Sequence, residues 1–312
     1  MADITAAMVK NLREMTGAGM MDCKKALNET NGDVDEAVEF LRKNGQAKAE
    51  KKAGRIAAEG ICRIAAEGDT AAAVVEVNSE TDFVAKNEDF QKYVEAVAVQ
   101  VLHSEASDVE SFLAESWQED PTKTVKEALV EKIAVIGENL NIRRFEKIEA
   151  ADGFVATYLH GGGRIGVVVE AASDLVNDRL KEALVNIAMQ IAALSPRYVS
   201  ADEISEEYKA HEKEIIKAQI EADPKMEGKP AKVVEGAVAG RLSKQLKEIC
   251  LLDQIYVKAE DGKQTVAQYV AQTAKETGAR FALKRFVRFE TGEGLEKKQD
   301  DFAAEVAAQV GK

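Results

Sequence analysis

Apolar residues in the first 55 positions recur at helical spacing in three short stretches. The first two stretches lie on either side of the sequence TGAG, which breaks the pattern, and the second can end at Gly32. Asp33 and Glu36 then have the spacing of a capping box at the start of a third helix. The apolar positions of the first two predicted helices are Met8, Leu12, Met15, Met20, Met21, Cys23 and Leu27. The pattern predicts a three-helix module over residues 1–55, with a helical linker rich in Ala, Lys and Glu at 46–58.

The pattern changes from helical to strand spacing after this linker. Residues 61–67 and 72–78 are rich in Val, Ile and Ala and flank a Gly-Asp turn signal, so they predict a β-hairpin. Apolar residues then recur at helical spacing from Phe90 to Val101. The predicted helix can cover the apolar face of the hairpin, which gives a small α+β unit.

The same succession of strand, turn, strand and helix returns 94 residues later without a gap. Turn glycines, strand valines and apolar helix positions all match in one register. The matched pairs are Gly68 with Gly162, Val74-Val75-Glu76 with Val168-Val169-Glu170, Ser79 with Ser173, Phe90 with Leu184, Tyr93 with Ile187 and Val97 with Ile191. We therefore predict a duplicated α+β core, in which helices ending near Gly137 separate the copies and a strand at 142–148 extends the second sheet.

A highly charged segment with a narrow apolar stripe follows the second copy. Residues 202–250 have the pattern of two helices separated by DPKMEGKP, each with apolar side chains on one side only. This pattern is typical of an antiparallel helical hairpin, a short coiled coil that projects from the body. Strand and helix signals resume at 255–258, 266–274 and 280–290, and FAAEVAAQV predicts a final helix after the turn at 292–294.

Together these elements predict an α+β fold in several parts. A small three-helix N-terminal module precedes a duplicated core whose antiparallel sheets pack on helices. The helical hairpin protrudes from the second half of the core, and a short helical module ends the chain. The predicted limits are residues 1–55 for the N-terminal module, 56–140 and 141–290 for the two halves of the core, about 202–250 for the hairpin and 291–312 for the C-terminal module.

The composition indicates a folded protein with an acidic surface. The chain of 312 residues has 42 Lys and Arg against 55 Asp and Glu, a formal net charge of -13. Such a surface repels phosphate backbones and argues against direct nucleic-acid binding as the main role. Three scattered cysteines without CxxC spacing favour reduced thiols in the cytoplasm over a disulfide framework or a zinc site. We expect neither export nor membrane insertion, because the N-terminal sequence lacks a signal-peptide core and the longest uncharged segment, 184–196, is too short to span a bilayer.

The sequence HGGGRIG at 160–166 contains a literal GxGxxG. A dinucleotide site needs a helix after this motif so that the phosphates meet the helix N-terminus, whereas the strand-like VVVEAA follows here. We therefore interpret the glycines as a hairpin turn, with His160 and Arg164 as candidates for a partner surface. The chain contains no GxxxxGK[ST] sequence either, so nucleotide binding by the chain itself is unsupported.

The residue types that carry catalysis or bind metals are scattered along the sequence. His103, His160 and His211 lie in unrelated predicted segments, which disfavours a shared metal site or a catalytic triad. Cys23 lies at an apolar helix position, and we interpret it as a small core residue. We therefore predict no catalytic residue, no metal ligand and no cofactor.

A large aromatic side chain, Phe83, lies in a polar connection between a predicted strand and a predicted helix. The sequence there is NSETDFVAKNEDF, residues 78–90. In one interpretation Asp82 caps a helix and Phe83 packs into the local core. In the other, Phe83 is an exposed anchor of the kind that fills a partner's pocket at protein interfaces.

Five segments taken together resemble the bacterial elongation factor Ts family. They are TGAGMMDCKKAL near the N-terminus, TDFVAKN at 81–87, IGENLNIRR at 136–144, HGGGRIGVVVE at 160–170 and RFETGEGLEKKQDDFAAEV at 288–306. The resemblance spans nearly the whole chain in the expected order, so it is more specific than any single motif. It favours the exposed-anchor interpretation of Phe83.

This resemblance implies a guanine-nucleotide exchange factor for elongation factor Tu, which supports translation elongation and acts by binding rather than by catalysis. In that family a module similar to ubiquitin-associated domains precedes a duplicated core, and a TDFV segment enters the GTPase domain of the partner and displaces its magnesium ion. The corresponding residues here are Thr81, Asp82, Phe83 and Val84. The segment implied to pack on the GTPase domain contains Gly19, Met20, Met21 and Asp22. The segment implied to meet another domain of the partner contains His160, Gly161 and Arg164.

Two other function classes are compatible with the residues alone. A scaffold or adaptor would use the three-helix module to bind a peptide or a ubiquitin-like surface. It would bind its partner equally with and without GDP, whereas an exchange factor binds the nucleotide-free form best. A hydrolase would show turnover that depends on the histidines. Self-association, as a homodimer or within a 2:2 complex with the partner, is left open.

Overall fold

A computed structural model of the chain describes residues 3–226 and 228–297. Within these residues the chain forms eleven α-helices and eight β-strands. The helices are α1 Ala6–Thr16, α2 Met20–Glu29, α3 Val34–Lys52, α4 Asp82–Ala85, α5 Glu88–His103, α6 Val109–Ala114, α7 Val125–Ile136, α8 Asp178–Leu194, α9 Glu206–Glu221, α10 Ala231–Ile249 and α11 Val266–Thr277. The strands are β1 Glu59–Glu67, β2 Ala71–Ser79, β3 Ser116–Trp117, β4 Asp120–Thr124, β5 Asn141–Glu149, β6 Phe154–His160, β7 Ile165–Ser173 and β8 Phe281–Glu290. This mixture of helices and antiparallel strands confirms the predicted α+β class.

Helices α1 to α3 form the predicted three-helix module. Thr5 and Asp33 cap α1 and α3 by accepting backbone N–H groups. The buried interior consists of Val9, Leu12, Cys23, Ala26, Leu27 and Ala37. Three methionines at the apolar positions of α1 and α2, which helical spacing would place on the buried side, are exposed instead. They are Met15, Met20 and Met21. They differ from the prediction because so small a module covers only one side of each helix. Helix α3 continues to Lys52, so it includes the first part of the linker predicted at 46–58.

Two three-stranded antiparallel sheets form the core. The first has the order β1-β2-β5 and the second the order β6-β7-β8. The central strands β2 and β7 correspond with the predicted offset of 94 residues, and each has a register shift after its glutamate, Glu76 or Glu170. The following helices also correspond, since Phe90 in α5 and Leu184 in α8 are both fully buried. The predicted duplication is therefore confirmed.

The last helix and the last strand of each copy also correspond, but with a larger sequence offset than the first strands and helix. Helices α7 and α11 lie 141 residues apart, begin after the capping-box residues Thr124 and Thr265, and end at the left-handed glycines Gly137 and Gly278. Strands β5 and β8 follow these helices with the same offset. The offset rises because the second copy contains α9 and α10 where the first copy has the shorter α6, β3 and β4.

The strand predicted at 142–148 belongs to the first sheet, so its assignment to the second sheet was wrong. It lies within β5, which pairs antiparallel with β2 from Ala71↔Glu149 to Asn78↔Asn141. The second sheet obtains its third strand from β8, close to the C-terminal end. Local spacing predicts that a strand exists but not which sheet it joins, since pairing depends on distant residues.

The sequence boundaries proposed above for the N-terminal module, the two halves of the core, the hairpin and the C-terminal module stay predictions.

The two sheets pack face to face between two layers of helices. Helices α5 and α7 cover the outer face of the first sheet, and α8 and α11 cover that of the second. The inner faces meet through Cys62, Ala72, Val74, Ile148, Val155, Val168 and Phe289. Because both faces of β2 and β7 are covered, these central strands are buried almost throughout and rich in apolar residues rather than alternating between apolar and polar ones.

Helices α9 and α10 form the predicted helical hairpin. They bury a small apolar cluster of their own, which contains Ile216, Ile220 and Val238. The hairpin joins the body at a β-bridge between Tyr198 and Cys250. After β8 the chain turns at Gly292 and Gly294, both with positive φ. The final helix predicted for FAAEVAAQV, in the C-terminal module, lies outside the described residues.

Candidate partner-binding surface

The connection between β2 and α5, residues 80–87, forms a short helical turn that we call the Phe83 turn. Its central part is α4, and Thr81 is the N-cap residue: Thr81 Oγ1 accepts the backbone N–H of Val84 at 3.4 Å. Asn87 caps α5 directly afterwards, because its Oδ1 accepts the N–H of Phe90 at 3.1 Å. Two successive caps therefore give this connection a defined shape.

The side chain of Phe83 points away from the body. It is 80% exposed, the largest fraction among the large exposed apolar side chains of the described residues. Asp82 is exposed as well, whereas Val84 is half-buried and Ala85 is buried against the core of the first copy. The interpretation in which Phe83 packs into the local core is therefore wrong, and Val84 and Ala85 make the inward contacts instead.

Asp82 and Lys86 form an ion pair one helical turn apart. Lys86 Nζ donates to Asp82 Oδ2 at 2.6 Å, and this hydrogen bond lowers the pKa of Asp82 below its ordinary value. The carboxylate is therefore ionised at neutral pH. The solvent-facing side of the Phe83 turn thus combines an aromatic ring with a neighbouring charged pair.

The polar pair Glu138 and Asn139 holds the start of the Phe83 turn. The Glu138 carboxylate accepts the N–H groups of Glu80 and Thr81 at 3.0 and 3.1 Å, and it accepts the Thr81 hydroxyl at 2.7 Å. In return, Glu80 Oε1 accepts the N–H of Asn139 at 2.6 Å. Sequence reasoning missed these residues because 57 positions separate Thr81 from Glu138. The available signal was a polar Glu-Asn pair directly after the helix-ending Gly137.

The N-terminal module ends beside the same region. Lys52 Nζ, at the end of α3, donates to the carbonyl of Gly137 at 2.6 Å. The side-chain amide of Asn139 donates to the carbonyl of Arg55 at 2.8 Å, and Arg55 pairs with Glu80 at 3.4 Å. The module, the Phe83 turn and the segment after α7 are therefore joined by one network of polar contacts.

The N-terminal candidates, Gly19 to Asp22, lie at the start of α2. Gly19 is the N-cap residue, and Met20 and Met21 follow it with exposed fractions of 55% and 75%. Asp22 pairs with Lys48 of α3 at 2.9 Å. The exposed methionines give the module an adaptable apolar surface, since Met is flexible and polarizable. Asp22 instead connects two helices of the module.

The sequence HGGGRIG forms the turn of the β6–β7 hairpin, as predicted. Three consecutive glycines have positive φ values of 58°, 69° and 108°, namely Gly161, Gly162 and Gly163. His160 is exposed, and its Nδ1 lies 2.9 Å from the hydroxyl of Tyr158. Exposed Arg164 lies 4.0 Å from the carboxylate of Glu290. A strand follows the glycines, so this GxGxxG has no helix N-terminus for a phosphate.

This hairpin turn packs against β1 of the other copy. The N–H of Cys62 donates to the carbonyl of Gly163 at 2.6 Å. Glu59, the first residue of β1, pairs with Ser79, the last residue of β2 before the Phe83 turn. Cys62 lies three residues further along β1, a distance of roughly 10 Å. The β6–β7 turn and the Phe83 turn therefore lie at the same end of the core.

Other chemically active groups lie in separate elements. His103 ends α5 and His211 lies in α9, whereas His160 is at the β6–β7 turn. The three cysteines are buried, and burial raises the pKa of the Cys62 thiol to about 11. In the part of the chain that the structure describes, no three His, Cys, Asp or Glu side chains are grouped to hold a metal ion. No helix of that part combines the length and apolar character needed to cross a membrane.

A family comparison covers most of the chain and begins at the Phe83 turn. The family model described as Elongation factor TS matches residues 80–293. The chain belongs to the elongation factor Ts family. Membership confirms the resemblance found in the sequence and makes the protein a translation elongation factor.

Individual relatives are similar over nearly their whole length. Elongation factor Ts of Clostridioides difficile (strain 630) is 50% identical over 311 residues, which cover 99% of this chain and 100% of that protein. Elongation factor Ts of Clostridium novyi (strain NT) is 49% identical, over 98% of this chain and 99% of that protein. Elongation factor Ts of Clostridium perfringens (strain 13 / Type A) is 49% identical, over 99% of this chain and 100% of that protein.

Proposed function

We propose that this protein is a guanine-nucleotide exchange factor that binds elongation factor Tu in its GDP-bound form and promotes GDP release. Membership of the elongation factor Ts family supports this partner and this role. The observation that carries the proposal is the exposed ring of Phe83 on a turn of defined shape. Interfaces concentrate their binding energy in a few such aromatic anchors, which enter pockets of the partner.

In this proposal the Phe83 turn acts as a wedge in the GTPase domain of the partner. Magnesium in a GTPase needs near-ideal octahedral oxygen geometry and links the nucleotide phosphates to the protein. A displacement of its surroundings by about one ångström therefore weakens the hold on the nucleotide. Phe83 in an apolar pocket contributes about 2 kcal/mol, which offsets the distortion of the partner's site.

Exchange then follows from binding alone. Because coupling between two binding sites is reciprocal, a factor that weakens nucleotide binding is itself bound more weakly when nucleotide is present. Typical couplings are about 1 to 3 kcal/mol, so a new nucleotide can expel the factor. The reaction needs no covalent step and no catalytic side chain of this protein.

Two further surfaces contact the partner in this proposal. The N-terminal surface, Gly19 to Asp22, packs on the GTPase domain through Met20 and Met21, which are exposed. The β6–β7 turn meets another domain of the partner through His160, Gly161 and Arg164. The shared position of the two turns at one end of the core supports simultaneous contact with a single partner.

The substitution Phe83→Ala tests the wedge. We expect GDP release from the partner to slow by about 30-fold, because that factor corresponds to the loss of about 2 kcal/mol of anchor energy. Release of a fluorescent GDP is followed by stopped flow, and circular dichroism establishes that the variant is folded. Unchanged release by a folded variant would contradict the proposal.

Leu175→Ala is the matched control for this experiment. Leu175 is 43% exposed in the connection from β7 to α8, which corresponds in the second copy to the Phe83 turn. This variant loses an exposed apolar side chain from the equivalent connection, which has no helical turn, and should release GDP at the wild-type rate. An adaptor is distinguished by a binding assay, since only an exchange factor prefers the nucleotide-free partner to the GDP-bound partner.

A further inference from the structure

Glu138 makes an unusual concentration of contacts with the start of the Phe83 turn. Its Oε2 accepts the backbone N–H groups of Glu80 and Thr81 at 3.0 and 3.1 Å, and its Oε1 accepts the Thr81 hydroxyl at 2.7 Å. Thr81 is also the N-cap residue of α4. One carboxylate therefore holds the two residues from which the helical turn of Phe83 starts.

We propose that Glu138 is a positioning residue for Phe83, an inference that rests on the proposed exchange function. Helix α4 has only four residues, far fewer than a helix needs to be stable by itself in water. Its shape must therefore come from contacts at its ends. Glu138 supplies the contact at its beginning and keeps Phe83 directed outwards before the partner arrives, which reduces the ordering that binding would otherwise require.

The second copy of the core provides an internal comparison. In both copies the serine that ends the central strand donates to a carbonyl two residues later, Ser79 to Thr81 and Ser173 to Leu175. The next acidic side chain then accepts a backbone N–H just before the third strand. These acceptors and donors are Glu80 with Asn139 in the first copy and Asp174 with Arg280 in the second. Contacts present in both copies serve the shared fold.

The Glu138 contact is different because the second copy lacks it. Under the 141-residue offset that relates Gly137 to Gly278, the position of Glu138 is occupied by Ala279. The connection there runs directly from Ser173 to the helix cap Asn177 and contains no helical turn. The carboxylate thus accompanies the helical turn that displays Phe83, and the fold itself forms without it in the other copy.

The principal test compares Glu138→Ala with Glu138→Gln in the full-length protein. Glu138→Ala removes all three hydrogen bonds, and we expect GDP release from elongation factor Tu to slow by about 5- to 30-fold. Glu138→Gln keeps an oxygen for the two N–H groups and an amide that can donate to the Thr81 hydroxyl, so we expect release near the wild-type rate. Glu110→Ala removes an exposed carboxylate from α6 and is the matched control.

Hydrogen exchange measures the turn without the partner. In Glu138→Ala the amides of Glu80, Thr81 and Val84 should exchange faster than in the wild type, while the amides of β2 remain as protected as before. A merely structural role would instead raise exchange in β2 as well. If Glu138→Ala does not fold, Glu138→Asp draws the carboxylate back by one methylene, leaves the Thr81 cap in place and should show the same local pattern.

A double variant decides whether Glu138 acts through Phe83. In the Phe83→Ala background, Glu138→Ala should change GDP release by less than about twofold, because no anchor remains to be positioned. A full additional loss would overturn the inference. The inference would also be overturned if folded Glu138→Ala released GDP at the wild-type rate while Phe83→Ala released it slowly. That result would leave the proposed function intact. Unchanged release by Phe83→Ala would overturn the proposed function and this inference together.

Discussion

At the scale of single residues, Gly166 shows how the absence of a side chain lets the two sheets approach each other closely. A Cβ atom at this position would lie 2.9 Å from Val74 Cγ2 and 3.2 Å from Cys62 Cβ. Both neighbours belong to the packed inner faces, so they have little room to move. Gly166 is the last glycine of the GxGxxG sequence, and this close approach of sheets is its structural role.

We predict opposite effects for two glycine-to-alanine substitutions. Gly166→Ala should lower the free energy of unfolding by about 1 to 3 kcal/mol, because the added methyl group overpacks the contact between sheets. Gly240→Ala should raise it by about 0.5 to 1 kcal/mol, because Gly240 lies within α10 with open space around it and alanine favours the helix. Urea unfolding measures both values. Equal stabilities for the two variants would contradict the packing argument.

Phe83 shows the limit of prediction at this scale. Its neighbours identified a connection between a strand and a helix, and the observed caps Thr81 and Asn87 are residue types that sequence reasoning recognises. The outward direction of the ring was not predictable from those neighbours. It follows from the inward packing of Val84 and Ala85 and from the distant Glu138.

At the scale of elements, the helical hairpin has an apolar cluster that is separate from the clusters of the core. Its apolar cluster is confined to α9, α10 and the turn between them, whereas the clusters of the core draw on other elements. Its base is held by backbone contacts such as the one from Arg197 N–H to the carbonyl of Ile249 at 2.8 Å. The narrow apolar stripe in the sequence predicted such a projecting hairpin, because each helix has only enough apolar surface to cover the other.

We predict that the core folds without the hairpin. Replacing residues 209–245 by a linker of about six Gly and Ser residues should change the thermal unfolding midpoint of the core by less than about 4 °C, which corresponds to about 1 kcal/mol or less. Antiparallel helices bring the two ends close together, as the Gln245–Glu212 hydrogen bond of 2.6 Å shows. Circular dichroism measures the midpoint. A drop of tens of degrees would show that the hairpin supports the core.

At the scale of the whole molecule, the buried carboxylate of Glu76 joins the two halves. It accepts hydrogen bonds from Arg143 and Arg144 of β5 at 3.0 and 2.6 Å. It also accepts the N–H of Gly292 at 2.8 Å, which lies just after the last strand of the other sheet. Burial by itself raises the pKa of Glu76, but these donors and the amide of Asn78 outweigh it and lower the pKa below its ordinary value of 4.5.

We predict that Glu76 contributes to stability at neutral pH and not in acid. Because its pKa is lower in the folded state, its contribution is complete above pH 4.5 and is lost as the pH falls through the lowered value. Glu76→Gln should therefore reduce the free energy of unfolding by about 1 to 3 kcal/mol at pH 7. Its deficit relative to the wild type should shrink in acid.

Urea unfolding at a series of pH values checks this expectation. Glu146→Gln, which removes an exposed carboxylate from β5, should stay within about 0.5 kcal/mol of the wild type at neutral pH. A deficit of Glu76→Gln that is the same at every pH would contradict the argument, because it would show that ionisation of Glu76 is not coupled to folding.

The duplicated core shows which parts of the fold could be predicted from the sequence. The 94-residue register was visible because strand and helix positions such as Val74 and Phe90 recur with the same local spacing. The 141-residue register of Thr124 with Thr265 was missed, because the hairpin changes the offset within the second copy. The same omission placed the strand at 142–148 in the wrong sheet.

The sequence by itself determined most of the helices and strands, the repeat and the family, because all of these are recorded in the order and spacing of nearby side chains. It did not predict β3 and β4, and the strand signal at 255–258 corresponds only to the single bridge Ile255↔Thr265. Tertiary structure alone decided that β5 pairs with β2, that Met20 and Met21 remain exposed and that the ring of Phe83 faces solvent. The physical reason is that pairing and burial depend on which distant segments meet.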